Sequence, residues 1–412
     1  MVAKGDMLYA WTKDQELAKR AECGGAVTGL LKFMLEKNLV DGVFGVKKGQ
    51  DIYDAVPVFV TDPKEVKELA GSLHCGTLLL SKLVKKYLDE ANNMRIAMPV
   101  KGCDMMGLYE LAKRKQVNLD NVVMIGVNCG GSVSPVTARK MIQEKFGVDP
   151  DIVHKEEIDK GQFIIEYEGG HKGISMDELE EQGYGRRANC RRCKLKIPRQ
   201  ADLACGNWGV IGDKAGKATF VEVCSEKGAN ILTQATEAGA IETMPAPEKG
   251  IEIRKKTENA MFKLADKWRQ KDFGSLGSGN QRLSKIMSET SRCIKCYACI
   301  ENCPICYCVE CSTKKPYLVN PGEVPPSFMF HLIRFTHVAD SCINCGQCQE
   351  LCAMDIPNAL FMHALQVDLE EMFGYKPGVD MTLPVLALVE EPKERERLAA
   401  TGSDQIFDIF KK

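Results

Sequence analysis

Apolar residues recur in two alternating rhythms along the first 250 positions. Short β-rich runs at Gly42–Val46, Val56–Val60, Arg95–Val100, Val122–Cys129 and Thr219–Cys224 predict strands. Between them, apolar residues at helical spacing predict helices at Ala26–Glu36, Lys64–Leu69, Leu78–Leu88, Val136–Phe146 and Ala229–Ala238. Such alternation marks an α/β fold. Residues 251–290 read as one charged helix followed by a Gly/Ser linker, with Gly274, Gly277 and Gly279 at a domain boundary. Beyond it the pattern changes. Cysteine-dense loops flank one apolar helix, started by Pro325-Pro326-Ser327 and lined by Phe328, Phe330, Leu332, Ile333 and Phe335. A charged helical stretch, Glu390–Ala400, closes the chain.

The length of 412 residues predicts two or three domains with a sizeable core. A net charge of −1 gives no support for nucleic acid or an anionic membrane as the main partner. No apolar run is long enough to span a bilayer. The start, MVAKGDMLYAWTKDQE, lacks the apolar stretch of a secretory leader, so a cytoplasmic location is expected. The 19 cysteines change this ordinary picture. A disulfide scaffold suits small secreted chains, not one of this length. Eleven of the cysteines lie between Cys293 and Cys352.

Their spacing is specific. Cys293-x2-Cys296-x2-Cys299-x3-Cys303-Pro304 returns as Cys342-x2-Cys345-x2-Cys348-x3-Cys352. Each run is the bacterial ferredoxin pattern for a [4Fe-4S] cluster, in which the fourth cysteine ligates the other cluster. The expected pairing is Cys293, Cys296, Cys299 with Cys352, and Cys342, Cys345, Cys348 with Cys303. Zinc sites favour paired Cys-x2-Cys or Cys/His ligands instead. The helix between the runs suggests a helical ferredoxin domain acting as an electron wire. Cys306, Cys308 and Cys311 are left over.

Further upstream, Cys23-Gly24-Gly25 opens the helix that contains Thr28, and Gly71-Ser72 precedes another. A glycine turn before a helix exposes N–H groups that suit a pyrophosphate, although such turns are commonly just turns. No G-x-G-x-x-G follows a strand, so an ordinary Rossmann nicotinamide site is not supported. Cys190-x2-Cys193 with Cys129 and Cys103 at strand ends can gather four thiolates; a redox disulfide, a zinc site or buried thiols are the rivals. Arg186, Arg187, Arg191, Arg192, Lys194, Lys196 and Arg199 surround that pair. They read as a solvated basic face or as a docking patch for an anionic cofactor or partner.

The segments ECGGAVTGLLKFML, ELAGSLHCG, MPVKGCDMMGL, IGVNCGG and NCRRCKLKIPRQADLACGNWG, in this order over residues 10–245, resemble the beta subunits of coenzyme F420-dependent hydrogenases and formate dehydrogenases of methanogenic archaea. The two-cluster tail matches the formate dehydrogenase branch. The resemblance implies a flavin-binding N-terminal α/β domain followed by a mainly helical two-cluster domain. It implies one FAD, approached by Gly24, Gly25, Thr28, Gly71, Ser72 and the turn Gly206-Asn207-Trp208-Gly209. It also implies a third [4Fe-4S] cluster on Cys190, Cys193, Cys129 and Cys103. Cys205 and His74-Cys75 depart from the family pattern, so Cys75 or Cys205 could replace Cys103 as fourth ligand.

The expected domains are residues 1–90 and 91–250 for the FAD/F420 module, 251–284 for a helix and linker, 285–365 for the two-cluster domain and 366–412 for an extension. The expected function is to pass electrons from formate, oxidised on a molybdopterin- or tungstopterin-containing alpha subunit, through the clusters to FAD. Hydride transfer then reduces coenzyme F420. The basic loop 186–199 is the candidate for attracting the anionic tail of F420. Other readings are an F420H2-oxidising input module of a respiratory or heterodisulfide reductase complex, and an electron-transfer linker with no substrate site.

Overall fold

A computed structural model describes residues 2–308 and 310–382. The stretch Glu390–Ala400 lies outside the described residues. The chain divides into two compact units: Met1–Met106 with Asn118–Asp272, and Gly107–Val117 with the chain from Phe273 onward.

The first unit is mixed α/β. Strands β1 (Met7–Thr12), β2 (Gly42–Lys48), β3 (Ala55–Val60), β4 (Ile96–Val100) and β5 (Val122–Val127) enter one large sheet. Strands β6 (Val153–Asp159), β7 (Gln162–Tyr167) and β8 (Gly170–Ser175) form a separate antiparallel sheet. Strands β9 (Leu203–Gly206), β10 (Thr219–Val223) and β11 (Ile241–Pro245) complete the large sheet, in the order β11-β1-β10-β9-β5-β4-β2-β3. Neighbours from β2 through β4 and β5 to β9 are parallel; the other pairs are antiparallel. The central strands are covered on both faces, so their sequences read as continuous apolar runs. Leu30, Leu31 and Met34 of the helix Ala26–Glu36 share one core with Val43, Ala97, Ile125, Leu203, Val221 and Leu232.

Strand direction decides where the chemistry gathers. Two antiparallel steps, from β9 through β10 to β1, restore the original direction. Strands β1, β2, β4, β5 and β9 therefore all run the same way. The segments leaving β4, β5 and β9 emerge on one edge, the usual place for ligands in open α/β sheets. They carry Cys103, Cys129 and the Gly206–Gly209 turn. The Cys23-Gly24 turn joins them: Thr219 Oγ1, at the start of β10 on that edge, donates to Cys23 O at 2.7 Å.

Several elements differ from expectation. Lys64–Leu69 is a tight 3-10 turn, Pro63–Leu69, and the next helix shortens to Ser81–Tyr87. Val136–Phe146 starts as the helix Pro135–Met141 and ends in a wider turn, Ile142–Phe146. The 251–290 region is two helices, Glu248–Gly274 and Gly279–Thr290, not one helix and a linker. Left-handed backbone at Gly277 and Gly279 (φ 68 and 49) breaks the first, and the chain then resumes helix with buried Ile286 and Thr290.

The second unit is mainly helical. Besides Gly279–Thr290 it contains Ala298–Glu301, Phe328–Val338, Gln347–Glu350 and Asn358–Phe373. Segment Gly107–Val117 is knitted in by Glu110. This fully buried carboxylate accepts from Lys113 Nζ (2.7 Å), Arg114 Nη1 (2.9 Å), Tyr375 Oη (2.7 Å) and Gly378 N (2.6 Å). No helix among the described residues is long and apolar enough to cross a membrane.

Candidate functional site

Both Cys-x2-Cys-x2-Cys runs fold into the same loop. Two and four residues after its first cysteine, each takes left-handed backbone: Lys295 and Tyr297 (φ 53 and 62), then Asn344 and Gly346 (φ 51 and 78). This double reversal lets three sulfurs share one side of a short loop. A single-turn helix follows each, Ala298–Glu301 and Gln347–Glu350. One cavity is lined by Cys293, Cys296, Cys299 and Cys352, with Tyr297 and His331. A second is lined by Cys342, Cys345, Cys348 and Cys303, with Arg334. In each case the fourth cysteine comes from the other run.

The donor set fits iron–sulfur clusters. None of the 19 cysteines is joined in a disulfide. Burial pushes Cys342 up to about 12 and Cys348 up to about 11, and metal ligation deprotonates such thiols. Backbone N–H groups already aim at sulfur: Lys295 N at Cys293 Sγ (3.3 Å) and Ile356 N at Cys352 Sγ (3.4 Å). His331 Nε2 and Arg334 Nη1, from residues lining the two cavities, are buried without a hydrogen-bond partner among the described residues. Among the described residues, no three His, Cys, Asp or Glu side chains converge as one metal ion requires. A cubane instead takes its thiolates apart, at separate corners.

The leftover cysteines line neither cavity. Cys306 and Cys311 pack on the core of Ile300, Val319, Phe330 and Ile333, and Cys311 Sγ lies 2.9 Å from Thr313 Oγ1. Cys308 Sγ lies 3.7 Å from His337 Nδ1.

On the sheet edge of the first unit, the structure draws Cys103, Cys129, Cys190 and Cys193 into one electrostatic neighbourhood. Burial raises the Cys129 thiol, and Cys190 and Cys193 add to it. Burial likewise raises Cys103, with contributions from Asp104, Cys129 and Cys190. Burial also pushes Cys190 up, but Arg187, the Ser132 N–H and Lys196 outweigh it and hold this thiol below its ordinary value. Lys101 keeps its proton against burial because Asp104, Cys103 and Cys129 face it. The other two candidates for the fourth position lie elsewhere. Cys75 sits in a separate core with Tyr53 and Val133, its N–H 3.2 Å from Glu156 Oε1. Cys205 points into the main core from β9.

The glycines expected near FAD divide by what a side chain would meet. A Cβ on Gly24 (φ 75) would lie 2.2 Å from Lys217 O, and one on Gly209 (φ 92) 2.5 Å from Gly250 O. A Cβ on Gly206 would strike Asn128 Oδ1. These three are required by the protein's own packing. At Gly71 (φ 97) nothing lies closer than Arg20 O at 3.9 Å, and at Gly130 nothing lies within 4 Å, so backbone there is open to a ligand. Gly25 (φ 68) closes the turn, Thr28 is buried, and Ser72 Oγ donates to Glu22 Oε2 at 2.7 Å. Gly24→Ala combines strain with a backbone clash. It is expected to destabilise the first unit by more than about 2 kcal/mol, seen as a lowered Tm.

Comparison with known proteins adds the rest. Two profiles of the coenzyme F420 hydrogenase/dehydrogenase beta-subunit family match the chain, the N-terminal one over residues 7–85 and the C-terminal one over residues 93–249. The chain is 50% identical over 379 residues to the F420-dependent formate dehydrogenase subunit beta of Methanocaldococcus jannaschii, covering 92% of this chain and 97% of that protein. The chain belongs to the coenzyme F420 hydrogenase/dehydrogenase beta-subunit family. A second relative, F420-dependent formate dehydrogenase 1 subunit beta of Methanococcus maripaludis, is 48% identical with the same coverage. The coenzyme F420 hydrogenase subunit beta of Methanothermobacter thermautotrophicus is 27% identical and covers only 59% of this chain. A chain of the F420-reducing [NiFe] hydrogenase complex from Methanosarcina barkeri shares the fold, with a TM-score of 0.56 at 19% identity over 66% of this chain and 92% of that one. The family profiles end at residue 249, before the two cysteine runs.

Within this family member the basic loop is not a free docking face. Arg186 pairs with Glu180 (2.5 Å), Arg192 with Asp272 (2.5 Å), Lys194 with Asp266 (2.5 Å), and Arg199 with Glu222 (2.7 Å) and Glu258 (2.8 Å). Arg191 stacks on Trp268, and Lys196 Nζ donates to Cys190 O at 3.3 Å. The charges of Arg186 and Arg192 are buried and paired inside the chain, so reversing either is expected to lower stability. Sequence reasoning missed Lys101, Ser132 and Gly130 beside the cysteines, although Gly130 and Gly131 stand next to Cys129 in the sequence.

Proposed function

We propose that this chain is the electron-transfer and F420-reducing subunit of a formate dehydrogenase, whose formate site lies on a molybdopterin- or tungstopterin-containing alpha subunit. The observation that carries the reading is the pair of four-cysteine cavities, in a chain alignable over 92% of its length with formate dehydrogenase beta subunits. In this reading Cys293, Cys296, Cys299 and Cys352 hold one [4Fe-4S] cluster, and Cys342, Cys345, Cys348 and Cys303 hold the second. Cys103, Cys129, Cys190 and Cys193 hold a third. Gly71, whose backbone is open, with Ser72, Gly24, Gly25 and Thr28 would hold FAD at the sheet edge. The Gly206-Asn207-Gly209 turn closes the same edge. When bound, the clusters supply single-electron steps and the flavin exchanges a hydride with F420; the chain binds, orients and tunes them.

The chain's own residues prepare that edge. Lys101 and Lys196 set positive charge against Cys129, and Arg187 and Lys196 set it against Cys190, where it outweighs burial and favours the thiolate. Arg254, almost fully buried, donates to Trp208 O (3.2 Å) and Ala204 O (3.3 Å) and fixes the 206–209 turn.

Anaerobic isolation should return about twelve irons and one FAD per chain, three clusters of four. The chain reduced with dithionite should then reduce F420. About eight irons would remove the third cluster. Twelve irons and FAD without F420 reduction would leave an electron-transfer linker.

A further inference from the structure

The apolar helix Phe328–Val338 lies between the two cysteine runs in sequence and carries one arginine on its inner face. Arg334 is 5% exposed and lines the second cavity beside Cys303, Cys342, Cys345 and Cys348. Its guanidinium is also within hydrogen-bonding reach of Cys299, a lining residue of the first cavity, and of Cys348 in the second. Among the described residues no carboxylate pairs with it, and Nη1 has no hydrogen-bond partner. A buried cation is costly unless paired. Here the groups that face it are thiols, drawn from both cavities.

We propose that Arg334 is a shared counter-cation of the two C-terminal clusters and sets both reduction potentials together. The inference rests on the ligand assignment given above. A cluster gains negative charge when it accepts an electron. A fixed positive charge beside its thiolates, and N–H donation to them, stabilise that reduced form and raise the potential. Because the same guanidinium reaches Cys299 and Cys348, it favours electron acceptance at both clusters. A planar fork with five donors suits this bridging better than a lysine ammonium.

The test is an EPR-monitored redox titration of the full chain with its clusters. Wild type is compared with Arg334→Met, Arg334→Gln and Arg334→Lys. At a fixed poise, Arg334→Met is expected to lower the reduced-to-oxidised ratio of both C-terminal clusters about tenfold, a shift of about 59 mV for a one-electron couple. Arg334→Lys restores most of the loss. Gln keeps a donor but drops the charge, and replaces Met in the measurement if Met costs iron. Unmoved potentials at full iron content, or a shift in only one cluster, overturn the proposal. Loss of iron from both neutral variants overturns it too, by making Arg334 an assembly residue. Absence of the two cluster signals from wild type instead defeats the ligand assignment itself.

Discussion

Cys303→Ser is expected to destroy the cluster held by the second cysteine run while sparing the one held by its own. The chain should lose about four irons of about twelve. Adding Cys342→Ser to it should remove no further iron, because both residues line one cavity. Adding Cys293→Ser should remove about four more, because that residue lines the other. Cys352→Ser is the mirror case, coupled to Cys293 and not to Cys342. Formate-driven F420 reduction by the complex should fall at least about a hundredfold, since loss of a direct ligand exceeds the 10–100-fold typical of outer-shell changes. If Cys303→Ser and Cys293→Ser together remove only about four irons, each run holds its own cluster and the crossed arrangement fails.

Glu222→Ala should be among the most destabilising single substitutions in the first unit. Glu222, on β10, accepts from Arg199 Nε (2.7 Å) and Arg254 Nε (2.6 Å), and Arg254 is almost fully buried. Removing the carboxylate leaves a buried guanidinium uncompensated, at a cost of about 3–5 kcal/mol. Thermal denaturation should show a Tm lowered by roughly 6–20 °C. The effect should depend on pH. Burial pushes the Glu222 carboxyl up, but Arg199 and Arg254 outweigh it and hold it below the usual range. Its contribution is therefore fully present above the unfolded value, about 4.3, and is lost as pH falls through the lower folded value. The gap between wild type and Glu222→Gln should narrow on acidification; a gap that is constant or widens there would refute this account. FAD retention should fall with stability in Glu222→Ala, because Arg254 also holds the 206–209 turn.

Local pattern serves well where an element is long, apolar and bounded. The five strands predicted from apolar runs and the helix Ala26–Glu36 are of this kind. It fails at β9, four residues long, and at β8, GHKGIS, whose residues are largely exposed and carry no alternation. It fails again at Gly277 and Gly279, which read as linker while the chain on both sides is helical. The basic loop shows a different limit. Seven cations within fourteen residues look like a surface field, because partners such as Glu222, Glu258, Asp266 and Asp272 are distant in sequence.

The eight C-terminal cysteines can be grouped from spacing because loop geometry around a cubane is local. Two-residue gaps oblige the chain to turn, whatever lies around it. That Cys103, and not Cys75 or Cys205, lies near Cys129 and Cys190 is out of reach in the same way that the burial of Arg334 is. The three cysteines sit after a strand, in a turn and within a strand, and only the tertiary fold places one of them beside Cys129 and Cys190. A lone arginine in FMFHLIRFTHV looks like a solvent-facing residue of an amphipathic helix until packing turns it inward. Sequence by itself determined the short-range features: strand and helix rhythm, crossed cysteine runs, absence of a dinucleotide fingerprint. Tertiary structure decided which charges are spent on each other and which face sulfur, because electrostatic partners are selected by distance through space and a linear chain records only distance along itself.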